Sequence, residues 1–261
     1  MPTDGTVATG SEAHWVGAVT HSDVPLVRPV RAIGLQFRNP LGLAAGFDRT
    51  GRRLPVLVRL GFGHIEVGTL TPARGYVGPA ALAGAHVQIG INIGSAQKGI
   101  SQQVIDDYLA MLGNIWWSAS YIVANLGSPF YARTGDTPGV DGLLDQLAMR
   151  WLDLTRLTGR HVPLLAKISC VPGDAPPRAI DAAREIGLSG VVLASATLQQ
   201  ISIVRGRFES GAIISVGGVA SAADIRARLS AGASLVQIHT TFVRGGAGTA
   251  RRILAQLEST R

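Results

Sequence analysis

The chain has 261 residues, 46% of them hydrophobic, with 33 glycines and 13 prolines; this excludes disorder and suits many short buried strands joined by tight turns. The one cysteine, Cys170, excludes an internal disulfide framework and makes the reducing cytoplasm the expected compartment. The net charge of +7 is carried by basic residues scattered singly or in pairs, without interleaved aromatics, so a solvated surface is expected and nucleic acid is not an expected partner.

No basic segment leads into an apolar one at the N-terminus, and no run approaches the roughly 18 apolar residues of a membrane helix, so no integral membrane segment is expected. Residues 1–30 lack periodicity and read as an irregular leader, with one domain over residues 31–261. A first strand is predicted over residues 39–46 (NPLGLAAG) and a short helix over 52–60. Strands follow at 65–70 and 87–93 (VQIGINI), separated by a connection, residues 71–86, in which no amphipathic helix fits. A helix at 101–117 precedes the strand 121–126 (YIVANL), and a helix at 142–157 precedes the strand 163–169 (PLLAKIS). The chain then predicts helix 177–186, strand 190–196 (GVVLASA), helix 201–209 and strand 212–218. Helix 222–230, strand 235–241 and helix 248–258 close it.

Eight short apolar strands alternating with helices predict a parallel sheet closed into a (β/α)8 TIM barrel of the α/β class. No GxGxxG turn opens the first unit, which argues against an open doubly wound sheet. Barrels of this kind place their sites at the C-terminal strand ends. Here those ends carry Asp48-Arg49, Thr69, Asn92, Asn125 with Ser128, Lys167, Ser195, Gly217-Gly218 and His239-Thr240. Carboxylates are sparse, since Asp48 stands alone and Glu66 lies earlier in its strand. Paired-acid hydrolysis is therefore not expected, nor is a metal site.

Only Lys98 and Lys167 are lysines, against 22 arginines. A lysine at the end of an apolar strand is either paired with a neighbouring acid or supplies what arginine cannot: charge for a developing anion or a Schiff-base amine. Asn92 and Asn125 are either satisfied core amides or share a ligand. The Gly217-Gly218 turn can bring backbone N–H groups to a phosphate. Ser128 precedes Pro129, which also reads as a plain turn signal. His239 reads as a packing or hydrogen-bonding histidine, and Cys170 as a small buried residue.

Jointly, FRNPLGLAAGFDRTG (37–51), LGFGHIEVGTLTP (60–72), GINIG (90–94), DDYL (106–109), YIVANLGSP (121–129), PLLAKIS (163–169), IISVGGV (213–219) and AGASLVQIHTTF (231–242) resemble dihydroorotate dehydrogenases. The likeness is to the quinone-linked class and runs from residue 33 to the C-terminus. It implies an FMN cofactor held by Ala45, Gly46, Thr69, Asn92, Asn125, Lys167, Gly217, Gly218, His239 and Thr240. It also implies that Lys167 stabilises charge on the reduced ring, and that Ser128 is the base.

The departures fall mainly on the substrate side. Phe130 and Ser195-Ala196 stand where the family carries asparagine and an Asn-Thr pair, and Arg49 stands where it carries lysine. The asparagine-bearing segment between strands two and three, the GGLSG loop before strand seven and the membrane-associated N-terminal helices have no counterpart. The resulting expectation is an FMN-dependent oxidoreductase acting on the C–C or C=C bond of a small acid other than dihydroorotate. Arg49, Phe130 and Ser195 would line the substrate side, and Ser128 and Lys167 would be catalytic. A flavin-free lyase or isomerase using Lys167, a non-catalytic binding protein and a true dihydroorotate dehydrogenase are the alternatives. A small molecule is the expected partner, with a homodimer left open.

Overall fold

The computed structural model describes residues 27–79, 86–127 and 138–259. A two-stranded antiparallel hairpin, β1 (Val30–Ala32) and β2 (Leu35–Phe37), precedes the barrel. The barrel strands are β3 (Leu41–Leu43), β4 (His64–Leu70), β5 (Gln88–Ile93), β6 (Tyr121–Asn125), β7 (Leu164–Ser169), β8 (Gly190–Ala194), β9 (Ala212–Val216) and β10 (Leu235–Ile238). They pair in chain order, all parallel, and β10 closes onto β3. The outer helices are α1 (Leu54–Leu57), α2 (Gln102–Asn114), α3 (Val140–Thr158), α4 (Ala179–Glu185), α5 (Leu198–Arg207), α6 (Ala222–Ser230), α7 (Thr240–Gly245) and α8 (Thr249–Glu258). The eight-stranded α/β barrel expected from the alternation is therefore present.

Strand residues alternate between two environments, as a parallel sheet covered on both faces requires. One set (Leu41, Ile65, Ile91, Ile122, Leu164, Val191, Ile213, Val236) packs under the helices. The other set (Ala44, Tyr121, Val123, Leu165, Val192, Ile214, Leu235) fills the lower barrel, where Phe37 of the hairpin joins it. Two strand glycines make room there. A Cβ on Gly42 would lie 2.1 Å from His64 Nε2, and one on Gly90 would lie 2.2 Å from the Tyr121 ring.

Three expectations need correction. The last strand does not run to Thr241: it ends at Ile238, His239 leaves the extended region (φ −133°, ψ −74°) and Thr240 begins a helix. Its β-branched residues imitate a strand, but they sit in the first turn of a helix. Strand β8 stops at Ala194 because Ser195 adopts a left-handed backbone (φ +62°). The hairpin at Val30–Phe37 was not foreseen, since three-residue strands carry no readable period; residues 1–26 of the expected leader lie outside the described residues. Between β4 and β5 no helix forms among the described residues, and residues 80–85 of that connection lie outside them.

Candidate active site

The inward set of strand residues turns polar above the apolar plug. In β4 the period of two sends His64, Glu66 and Gly68 inward, and Glu66 sits in the middle of the barrel with no exposed surface. Its Oε1 accepts a hydrogen bond from Asn92 Nδ2 (2.8 Å) and its Oε2 one from Gln237 Nε2 (2.8 Å). Lys167 Nζ lies 3.9 Å from Oε1, with 14% of its side chain exposed toward the mouth. Of the readings open for Lys167, pairing with an acid is therefore observed, and the same ammonium still reaches the mouth.

A chain of bonds rises from Glu66 toward the rim. Asn125 Nδ2 donates to Thr69 Oγ1 (2.7 Å), and Thr69 Oγ1 donates to Asn92 Oδ1 (2.7 Å). Asn92 is fully buried and Asn125 nearly so. The end of β6 is fixed from behind, where Tyr108 Oη of α2 donates to the Asn125 carbonyl (2.6 Å). Thr69, Asn92, Asn125 and Lys167, predicted separately on four strands, thus belong to one connected network. Asn92 forms its lower part, and both of its side-chain polar atoms are satisfied within the barrel.

Around this floor stand the remaining predicted residues. Gly46, Arg49, Ser195, Gly218 and Thr240 are exposed, and Ala45, Gly217 and His239 are partly exposed. His239 Nε2 would lie 3.3 Å from a Cβ on Gly46, so a side chain there would crowd the histidine. His239 titrates below the usual imidazole range, chiefly because burial disfavours the charged form, then because Lys167 and Arg49 repel a further positive charge. The mouth is therefore cationic and suits an anionic guest. Asp48, by contrast, is a structural cap: its carboxylate accepts from the backbone N–H groups of Thr50, Gly51 and Arg53 and holds the entry to α1. Ser128 and Phe130 lie outside the described residues.

Glu66 lies before its strand end, where a rim position is not expected. A side chain two residues back still meets a long lysine from across the barrel, and the alternation of β4 was the signal. Tyr108 carries no signal in the sequence beyond its DDYL motif, and Gln237 shows only as a polar residue at an inward position of β10.

Fold and site define a (β/α)8 enzyme scaffold whose strand tips converge on an anion-favouring mouth. Comparison with known proteins makes this specific. A family model described as dihydroorotate dehydrogenase matches residues 175–260. The dihydroorotate dehydrogenase (quinone) of Idiomarina loihiensis is 30% identical over 297 residues, covering 88% of this chain and 87% of that one. The corresponding protein of Chromobacterium violaceum is 32% identical over 285 residues, covering 84% and 82%. A crystal structure of DHODH from Eimeria tenella in complex with ferulenol shares the fold, with a TM-score of 0.73 at 22% identity over 90% of this chain and 85% of that one. The chain belongs to the dihydroorotate dehydrogenase family and is an oxidoreductase of the CH–CH dehydrogenase kind. No helix among the described residues is long and apolar enough to cross a membrane.

Proposed function

We propose that this protein is an FMN-dependent dehydrogenase that oxidises a CH–CH bond in a small carboxylic acid. The observation carrying this reading is Lys167, held by buried Glu66 at 3.9 Å yet open to a mouth that also holds His239 and Arg49. The residues fit the cofactor on two further counts. Gly46, Gly217 and Gly218 all adopt positive φ (+106°, +100° and +64°) and leave a rim free of side chains for a flat ring and a phosphate. The donors below them are amides, a hydroxyl and an ammonium, the groups that hold a neutral ring edge and a developing negative charge.

Ala45, Gly46, Thr69, Asn125 and Lys167 would hold the ring, with Asn92 bracing Thr69 from beneath. Gly217, Gly218, His239 and Thr240 would hold the ribityl phosphate. When bound, FMN supplies the two-electron acceptor for conversion of a CH–CH bond to C=C. The protein's own tasks are to keep a positive charge beside the ring at Lys167, to anchor an acidic substrate group at Arg49 and to accept the substrate proton at Ser128.

On the substrate side, Ser195 and Phe130 offer fewer and shorter hydrogen bonds than paired amides would. Each polar group left unpaired on a ligand costs about 1–3 kcal/mol, which favours a small acid other than dihydroorotate. A second reading, dihydroorotate itself, is favoured by the names of the relatives above. An absorbance spectrum of the purified protein should show flavin bands, and boiling followed by filtration should release a yellow solute. A colourless filtrate would end the FMN reading. If flavin is present, bleaching on anaerobic addition of dihydroorotate selects the second substrate reading, and bleaching only by other small saturated acids selects the first. The compartment proposed is the cytoplasm.

A further inference from the structure

Arg228 belongs to α6, outside the barrel wall, and its guanidinium gathers three groups from the ends of two neighbouring strands. Nη1 donates to Ser215 Oγ (2.7 Å) and Ala196 O (3.3 Å), and Nη2 donates to Gly217 O (2.7 Å). Ser215 lies on the outward face of β9, since its neighbours Ile214 and Val216 pack in the barrel interior. The guanidinium therefore draws the Gly217 carbonyl away from the barrel axis. In a trans peptide the carbonyl and the following N–H point in opposite directions. Among the described residues the only cis peptide is Gly68–Thr69. The Gly218 N–H therefore points away from the guanidinium, and both glycines adopt the positive φ that such a turn requires.

We infer that Arg228 is a positioning residue for the cofactor phosphate: it fixes the Gly217–Gly218 peptide so that the Gly218 N–H donates into the mouth. This rests on the flavin reading above and names a residue that does not itself line the cradle. Charge is the lesser part of its contribution. Asp224, which accepts from the backbone N–H groups of Ala220 and Ser221 (2.9 Å each), lies within electrostatic reach and offsets the guanidinium. The fork geometry is what a compact ammonium cannot copy, because the acceptors are divided between two nitrogens of one planar group: Ser215 Oγ and Ala196 O on Nη1, Gly217 O on Nη2. A Cβ on Gly218 would sit 3.4 Å from Nη2, so the turn lies within van der Waals reach of its clamp.

The test compares FMN with riboflavin, the same ring without phosphate, by flavin fluorescence titration of the full chain, wild type against R228M and R228K. The wild type should bind FMN far more tightly than riboflavin. In R228M that preference should fall about tenfold, the worth of one good hydrogen bond, with riboflavin affinity nearly unchanged. R228K, which keeps the charge without the fork, should also lose preference, and it carries the test if R228M does not fold. An unchanged preference in the variants, or an equal loss for both flavins, would overturn the inference. A wild type that binds both flavins equally would overturn the phosphate cradle while leaving a flavin enzyme. A wild type that binds neither would overturn the flavin reading itself, and this inference with it.

Discussion

Glu66 illustrates how much one buried carboxylate can be asked to hold. It accepts from Asn92 and Gln237 and faces Lys167, so removing it leaves two amide donors and an ammonium without their partner. Breaking a buried pair from one side costs about 3–5 kcal/mol. Glu66→Ala should therefore lower the free energy of urea unfolding at pH 7 by about that amount, and Glu66→Gln, which keeps one acceptor, by less. A change within about 0.5 kcal/mol for Glu66→Ala would mean that the carboxylate is not the keystone of the network.

His64, one pleat lower, has the opposite problem. Both ring nitrogens lack a partner among the described residues, and burial lowers its pKa from 6.5 to about 3. The unfolded chain binds a proton that the folded one refuses throughout that window. Stability is therefore full above about pH 6.5 and declines as the pH falls toward 3. From the two pKa values the loss between pH 8 and pH 5 is about 2 kcal/mol. Denaturation of wild type and His64→Phe at both pH values should show that much more loss in the wild type. Parallel pH profiles would contradict it.

At the scale of elements, the hairpin β1–β2 closes the lower barrel. Phe37 is fully buried and meets His64 and Tyr121 edge-on, at ring distances of 5.5 and 6.4 Å. Phe37→Ala should cost about 3–5 kcal/mol, read as a lower urea midpoint with the slope unchanged. A loss below about 1 kcal/mol would show that the plug contributes little. This element was invisible in the sequence, because three-residue strands carry no period and Phe37 looks like any apolar residue before a proline turn. The eight barrel strands were legible for the converse reason: strands buried on both faces are continuous apolar runs. A polar residue inside such a run stands out, as Asn92, Asn125 and Lys167 do. What joins them was not legible. Glu66 and Gln237 meet across 171 positions of chain, and Gly42 and Gly90 exist to admit rings from neighbouring strands. Such pairings depend on barrel closure and register, which no local pattern encodes.

For the whole molecule, the distribution of polarity inside the barrel sets an expectation about cofactor and stability together. The lower interior is closed by Phe37, Tyr121 and Leu165, and the upper interior is a cationic, glycine-edged mouth. The proposed cofactor would touch the ends of β3, β4, β6, β7, β9 and β10 at once, so it would stabilise the closed ring, with no equivalent site on the unfolded chain. By mass action, FMN at a hundred times its dissociation constant then adds about 2.7 kcal/mol. For a chain of this size that corresponds to a rise of about 5–10 °C in the thermal midpoint. Riboflavin at the same concentration should give a smaller rise, because it lacks the group that Gly217, Gly218 and Thr240 would hold. Scanning calorimetry at several FMN concentrations checks this directly, since the midpoint must climb with the logarithm of free FMN. A midpoint indifferent to FMN at millimolar concentration would mean that the strand tips converge on some other guest.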